Sequence, residues 1–425
     1  MSRASESKPK SFEISKRAVW EAYRRVKANK GGAGVDGESI TEFEENLSGN
    51  LYKLWNRMSS GTYFPPPVRA VEIPKRDGSS RVLGVPTVAD RIAQTVVRSY
   101  LEPSVEPVFH QDSYGYRPGR SALDAVGVCR ERCWRSDWVL DMDIKSFFDS
   151  VPHDLVLRAV AHHTDQRWIV LYVQRWLKAP LQAEDGSLVE RDRGTPQGSA
   201  ISPTLANMFL HYAFDLWMAR EHPGVQFERY CDDVIVHARS ERQARQLRAA
   251  IASRLADCGL QLNERKTRIV YCKDSTRRGS YEHERFDFLG YTFRPRLSRS
   301  KSGGQFVNFL PAVSDDARKR MGREIRRWRL HRWSGKTLTD LARSINAIVQ
   351  GWVNYYGRFY RSALVRLLKR INEYLVRWAR WKYKRLRRYP AKARRFLAAV
   401  YRRQPELFAH WRFGARPDGW TMGAG

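Results

Sequence analysis

Two adjacent aspartates, Asp232 and Asp233, stand in the middle of an apolar run, Phe227-Glu-Arg-Tyr-Cys-Asp-Asp-Val-Ile-Val236. The β-branched and aromatic residues on either side specify two strands, so the acids fall on the turn of a hairpin. Like charges at a hairpin tip repel each other, and a divalent cation between them offsets that cost. A second run, Val139-Leu-Asp-Met-Asp-Ile-Lys-Ser-Phe-Phe-Asp149, puts three more acids at a strand end and in the turn that follows. Magnesium prefers hard oxygen ligands, usually one or two carboxylates plus substrate phosphate. Two such ions, about 3.5–4 Å apart, stabilise both the attacking and the leaving oxygen of a phosphoryl transfer. An isolated Asp-Asp pair is usually a solvated turn. The strand setting and the second acid run together point to metal-dependent phosphoryl transfer.

Charge narrows the partners. The 425 residues carry 76 Lys and Arg against 45 Asp and Glu, a net +31. A field of that size attracts polyanions, and nucleic acid is the natural one. No run of eighteen apolar residues occurs, so no membrane span is expected. Residues 318–403 hold 27 Lys or Arg and three acids (Glu324, Asp340, Glu373), so +24 lies in 86 residues. The apolar positions in this stretch, among them Leu364, Leu367, Leu368, Ile371, Leu375 and Trp378, recur every three or four residues. That period predicts a helical second domain with basic outer faces. A linker is expected around Arg294 to Gly304.

Upstream, helices are expected from Phe12 to Ala28, over 87–102, from Pro152 to His162, from Leu205 to Met218 and from Ser240 to Cys258. Strands are expected at Val68–Ile73 and Trp138–Ile144, with a hairpin turn at Lys75-Arg-Asp-Gly-Ser-Ser80. Helices and hairpins without regular βαβ alternation indicate an α+β region. Five cysteines at loose spacing argue against a disulfide framework and for reduced thiols. The N-terminus has no apolar core of a secretory signal. His153, His162 and His163 read as surface or capping residues, and most of the 14 Trp as core.

Two further segments carry polar chemistry. In Arg193-Gly-Thr-Pro-Gln-Gly-Ser-Ala-Ile-Ser-Pro203, Gly194 and Gly198 allow close backbone approach to a ligand and Gln197 offers an amide. The same segment also reads as an ordinary loop and helix start. Lys75 and Arg81 flank a hairpin and could clamp triphosphate oxygens, or be simply solvated.

Taken together, Ser113-Tyr-Gly-Tyr-Arg-Pro-Gly-Arg120, Asp143-Ile-Lys-Ser-Phe-Phe-Asp149, Thr195-Pro-Gln-Gly-Ser-Ala-Ile-Ser-Pro203, Tyr230-Cys-Asp-Asp233, Gly259-Leu260 with Asn263 and Lys266, Phe288-Leu-Gly-Tyr291 and Gly351-Trp-Val-Asn-Tyr-Tyr356 resemble the motif series of reverse transcriptases encoded by group II introns. The likeness runs from about residue 14 to 411 and takes in Gly34-Val-Asp-Gly37, Arg69 to Pro86 and Asp90-Arg-Ile-Ala-Gln94. Many relatives have Ala where Cys231 stands, and Cys is small enough to fit.

The resemblance implies an α+β right hand of fingers and palm followed by an all-helical basic thumb. The implied parts are an N-terminal tip and helix (1–30), an extension and fingers (31–138), a palm with finger segments (139–296) and a thumb or maturase region, domain X (297–425). It implies an RNA-directed DNA polymerase that also helps its intron RNA splice and move. Asp143, Asp232 and Asp233, with the backbone carbonyl of Ile144, would hold two Mg²⁺ ions, for which Mn²⁺ could substitute. Lys75 and Arg81 would hold the triphosphate. Phe148 would close the space under the sugar 2′-position. Gln197 and Gly198 would line the dNTP pocket, and Lys266 would stand beside it. Lys382, Lys384, Arg385, Arg387 and Arg388 form the densest basic cluster and would bind RNA. The implied partners are group II intron RNA, an RNA template, a DNA primer, target DNA and dNTPs, in a bacterial cytoplasm. No Cys/His-rich nuclease block follows Trp411, so second-strand cleavage by this chain is not expected. The readings left open are a domesticated or defence-associated relative and a splicing-only RNA chaperone. The intact set Asp143, Asp232, Asp233, Gln197 and Phe148 favours the enzyme.

Overall fold

A computed structural model describes residues 11–74, 80–300 and 302–418. The chain divides into two compact units. One comprises residues 1–121, 140–236 and 241–268, and the other comprises 122–139, 237–240 and 269–425. The second unit thus combines the chain from Ile269 onward with the segment Ala122–Val139, which includes the first two residues of the strand Trp138–Asp143.

In the first unit, the helix Val88–Val105 is the central element. Thr87 caps it by accepting from the Asp90 N–H at 3.1 Å. Its Val88, Ile92, Ala93, Val96, Val97, Leu101 and Val105 are fully buried, and it packs on the helix Lys16–Asn29. That helix begins at Lys16 rather than at Phe12, because Ser15 accepts from Ala18 N–H and so sets the N-cap. A first sheet pairs Val68–Pro74 antiparallel with Ser80–Val85, in the register Arg69↔Val85 to Pro74↔Ser80. The hairpin turn expected at Lys75–Ser80, and Lys75 with it, falls on residues 75–79, which lie outside the described residues. In a second sheet Phe227–Tyr230 pairs antiparallel with Asp233–Ala238, which neighbours Trp138–Asp143. The helix expected over Leu205–Met218 is three pieces: Ser202–Leu210, a π-turn His211–Asp215 and Leu216–Glu221.

In the second unit, the segment expected to be a linker is a β-hairpin. Tyr291–Arg299 pairs antiparallel with Gln305–Val313, and Phe286–Phe288 adds a third strand. Tyr291, Phe293 and Phe309 are fully buried, and Phe286 stacks on Phe293 at 4.6 Å. The arginines and serines of this segment look like linker composition, but they sit among alternating apolar residues that face a core. Helices Asp315–Arg327, Leu338–Tyr356, Arg361–Lys382 and Pro390–Arg403 follow. Ser314 caps the first, and Thr337 with Asp340 forms a capping box on the second. Leu364, Leu368, Ile371, Leu375 and Trp378 are all fully buried, each such aliphatic side chain contributing about 1.5–3 kcal/mol. All five cysteines are buried thiols.

Asn372 ties the end of the chain to this helical core. Its side-chain oxygen accepts from His410 Nε2 at 2.9 Å and Trp411 Nε1 at 2.8 Å, and its amide donates to the Ala415 carbonyl at 2.8 Å. Burial lowers His410 from its ordinary value of 6.5 to about 3, and its Nδ1 has no protein partner to receive a proton. Because the folded value lies below the unfolded one, the unfolded chain takes up the extra proton as pH falls. This contribution to stability is therefore present above about pH 6.5 and is lost progressively down to about pH 3. Between pH 7 and pH 5 the chain should lose about 2 kcal/mol through this residue. Urea unfolding at the two pH values checks this, with the loss between them expected to be about 2 kcal/mol smaller in His410→Gln than in the wild type.

Candidate active site

The strand Trp138–Asp143 buries Val139, Leu140 and Met142 and delivers Asp143 at its end. Two residues of the 261–266 segment hold that carboxylate. Asn263 Nδ2 donates to Asp143 Oδ2 at 2.9 Å, and Lys266 Nζ reaches the same oxygen at 3.1 Å. The Asn263 N–H also donates to the Asp143 carbonyl at 2.8 Å, and the Lys145 N–H donates to Gln261. The backbone here is therefore fixed before any ligand arrives.

Asp232 is carried by the second hairpin, whose turn places Cys231 at φ +60. A non-glycine residue seldom adopts that conformation, and it persists only where the surroundings determine it. Here they do. Arg229 is fully buried and grips Asp215 through two contacts of 2.6 Å. Its remaining N–H groups donate to Asn207 at 3.0 Å, Ser113 Oγ at 2.8 Å and the Cys231 carbonyl at 3.3 Å. Asn207 in turn donates to the Gly115 carbonyl at 2.6 Å. A Cβ at Gly115 would lie 2.6 Å from the Cys231 nitrogen, so the 113–116 segment can lie against the turn only because residue 115 is glycine.

Asp143 and Asp232 line one cleft of about 690 Å³ together with Arg81, Ile144, Phe148, Gln197 and Lys266. That size suits a small polar ligand. Burial pushes the Asp232 carboxyl above its ordinary value, and Asp143 adds to the shift while Arg81 opposes it. Two converging carboxylates and the Ile144 backbone form a hard oxygen donor set, with Asp233 adjacent. Such a set can hold divalent cations. Gln197 Nε2 reaches Asp149 at 3.3 Å.

The structure therefore brings most of the residues singled out in the sequence to one place. Asp233 and Gly198 do not line the cleft. Gly198 has φ +119, and a Cβ there would meet the Gly84 carbonyl at 2.5 Å, so it serves the fit of its loop against the strand Ser80–Val85. Sequence reasoning named Asp149 and Asn263 within motifs but gave neither a role in the site. It also read His153 as a surface or capping residue, whereas His153 is buried with Nε2 2.7 Å from the Gly194 carbonyl, which pins the start of the Gln197 loop. These partners are separated by 41 positions for His153 with Gly194, 48 for Gln197 with Asp149 and 120 for Asn263 with Asp143, beyond any local pattern.

In the second unit, Lys384, Arg385, Arg387 and Arg388 are exposed around a short 3₁₀ turn, beside Trp381, which is 71% exposed. Lys382 instead donates to the Ser334 and Lys336 carbonyls at 2.9 Å each. A separate concavity of about 440 Å³ gathers Arg285, Arg294, Arg296, Arg318, Lys319, Arg366 and Arg370 around one acid, Asp315, which is already paired with Arg318 at 2.6 Å. Burial lowers Arg296 to about 10.

Comparison with known proteins matches this architecture. Residues 73–293 match the family described as reverse transcriptase (RNA-dependent DNA polymerase), and residues 318–396 match the group II intron, maturase-specific domain. The chain is 32% identical over 323 residues to Protein YkfC of Escherichia coli (strain K12), which covers 66% of this chain and 80% of that protein. It is 33% identical over 193 residues to the group II intron-encoded protein LtrA of Lactococcus lactis subsp. cremoris, which covers 45% of this chain but 32% of LtrA. A solved structure of apo telomerase from Candida tropicalis overlaps 57% of this chain and 59% of that one, at a TM-score of 0.42 and 14% identity, a likeness too slight to carry an argument. The chain belongs to the reverse transcriptase family and is an RNA-directed DNA polymerase. Its maturase-specific domain and its likeness to LtrA set it in the group II intron-encoded branch of that family.

Removing one partner of a buried ion pair leaves the other charge stranded, at a cost of about 3–5 kcal/mol. Arg229→Met should therefore destabilise the protein by that order in urea unfolding. The double variant Arg229→Met with Asp215→Leu should recover part of the loss, because no charge is then left unpaired.

Proposed function

We propose that the cleft transfers a deoxynucleotide from dNTP to a primer 3′-hydroxyl on an RNA template, and that the basic second unit grips the intron RNA as a splicing maturase, so that the chain supports intron mobility. The observation that carries the first part is the convergence of Asp143 and Asp232 with Arg81, Phe148 and Gln197 on one cleft. Asp143 and Asp232, with the Ile144 carbonyl, would hold two Mg²⁺ ions, with Asp233 beside them in the chain. When bound, such ions activate the attacking hydroxyl and neutralise charge on the leaving pyrophosphate.

The chain's own residues supply the rest. Arg81 offers a forked donor to triphosphate oxygens. Gln197 presents an amide to the incoming nucleotide, and Phe148, half-buried in the cleft wall, occupies the space under the sugar and excludes a 2′-hydroxyl. Lys266 and Asn263 keep Asp143 aimed into the cleft. Among the described residues no helix is long and apolar enough to cross a membrane.

For RNA, the support is the exposed cations of the maturase-specific domain. The cluster Lys384, Arg385, Arg387 and Arg388, with Trp381 beside it as a stacking surface, suits a phosphate backbone with an unstacked base. The basic concavity around Arg296 and Arg370 is a second contact of the same kind.

In primer extension on an RNA template with Mg²⁺ and dNTPs, Asp232→Ala should lower the rate by at least about a thousandfold, since it removes several kcal/mol of transition-state stabilisation. Binding of structured RNA should be unchanged. A variant that still extends the primer at a tenth of the wild-type rate would remove the assigned site. In a separate filter-binding series, neutralising Lys384, Arg385, Arg387 and Arg388 together should weaken intron RNA binding and flatten the dependence of log affinity on log salt by about 3. An unchanged slope would take the cluster out of the interface.

A further inference from the structure

A chain of buried hydrogen bonds joins the helix Val88–Val105 to the loop that carries Gln197, and the chemistry above uses none of it. Asp90 and Gln94, one turn apart on that helix, are each 1% exposed. Asp90 Oδ1 accepts from the Tyr63 hydroxyl at 2.7 Å and the Trp176 indole at 2.6 Å. Asp90 Oδ2 accepts from Gln94 Nε2 at 2.9 Å. Gln94 Oε1 then accepts from Ser199 Oγ at 2.6 Å and from the Ala200 N–H at 2.8 Å.

The direction of every bond in this chain is forced. An indole N–H only donates and a carboxylate only accepts. Asp90 therefore draws the NH₂ of Gln94 toward itself and turns the Gln94 carbonyl toward the loop. A reversed amide would set oxygen against carboxylate and NH₂ against the Ala200 N–H. Gln197 stands two residues before Ser199. Its own carbonyl accepts from the Gly84 N–H at 2.7 Å, and the Thr195 N–H donates to Phe148 at 2.7 Å. The loop is thus held on both sides of Gln197, with Gln94 as the clamp on the far side.

A buried carboxylate is a costly way to hold a loop if holding is all it does. Despite its three donors, burial still raises Asp90 to about 6. An apolar pair of similar volume would fill the space without that cost. What an apolar pair cannot do is fix the orientation of an amide and, through it, of the next loop.

We propose that Asp90 and Gln94 are positioning residues for the incoming nucleotide: acting through Ser199 and Ala200, they set the loop that presents Gln197 to the cleft and so govern nucleotide affinity without touching the substrate. This rests on the reading of the cleft as the nucleotide pocket.

The test is a charge swap in the full-length protein, with the KM for one dNTP and kcat measured at saturating template and primer, and the thermal midpoint recorded for each variant. Asp90→Asn sets an NH₂ against the NH₂ of Gln94, and Gln94→Glu sets two carboxylates side by side. In the double variant the amide at 90 donates to the carboxylate at 94, which accepts from Ser199 and Ala200, so the pattern returns with its charge moved one turn. Each single variant should raise the KM about tenfold or more, the factor that one misplaced buried hydrogen bond gives, with a smaller change in kcat. The double variant should return to within about threefold of wild type. Ser199→Ala, which removes one donor and adds no charge, should raise the KM by about threefold and decides the matter if the single variants do not fold. A double variant no better than the worse single, or a wild-type KM in Ser199→Ala, would overturn the proposal while leaving the pocket intact. Failure of the wild type to extend any primer would remove the pocket reading and the relay with it.

Discussion

The geometry of the hairpin that carries Asp232 depends on one buried ion pair, Arg229 with Asp215. Taking both charges out of water costs several kcal/mol for each. That cost is offset because the guanidinium is fully used: two contacts to Asp215, one each to Asn207, Ser113 and the Cys231 carbonyl. Each of these partners belongs to a segment that must meet at the turn. Asn207 lies on the helix Ser202–Leu210, Asp215 closes the π-turn after it, and Ser113 begins the Ser-Tyr-Gly-Tyr segment whose glycine lies against Cys231. The π-turn inserts an extra residue into the helix, a feature frequent at functional sites. In its register, Asp215 and Asn207, eight positions apart, both face Arg229. The ion pair is therefore better understood as a registration device than as a source of net stability.

Asp232, one of the two acids that this scaffold presents, is held at a cost. Burial, with repulsion from Asp143 adding to it, raises Asp232, and Asp143 accepts from Asn263 and Lys266. The fold thus carries unfavourable electrostatics at one point and offsets it elsewhere, through the apolar strands that bring the carboxylates together. Two carboxylates held close at such a cost favour a divalent cation between them.

Much of this was legible in the sequence, and the reason is local. The hairpin Phe227–Ala238, the strand ending at Asp143 and the capped helices are written in spans of ten to twenty residues, where periodicity and turn chemistry suffice. So were the helices of the second unit, because Leu364, Leu368, Ile371 and Trp378 keep one face over about four turns. What was not legible depends on distance or on composition that misleads. The arginines and serines of Arg294 to Gly304 conceal the alternation of a β-hairpin. His153 and Gly194 are separated by 41 positions, and Arg229 and Ser113 by 116. No pattern in the chain marks such partners. Asp90 and Gln94 were visible as a motif, but their role needs Tyr63, Trp176 and Ser199, which meet only in the fold.

These long-range bonds share a logic. The groups that face the cleft, Gln197 and Asp143, are each held by residues behind them rather than by each other. Gly84, Phe148 and the Gln94 relay fix the loop of Gln197, and the 261–266 segment fixes Asp143. A side chain so held spends little entropy when the ligand arrives, which is what makes a polar contact effective in selecting and orienting a substrate. The price is paid in buried polar groups, each of which must keep its partner. Substitutions in this supporting layer should therefore act through the substrate even where no contact with it exists, and the distinction between structural and functional residues is in this protein a matter of which atoms a residue orients.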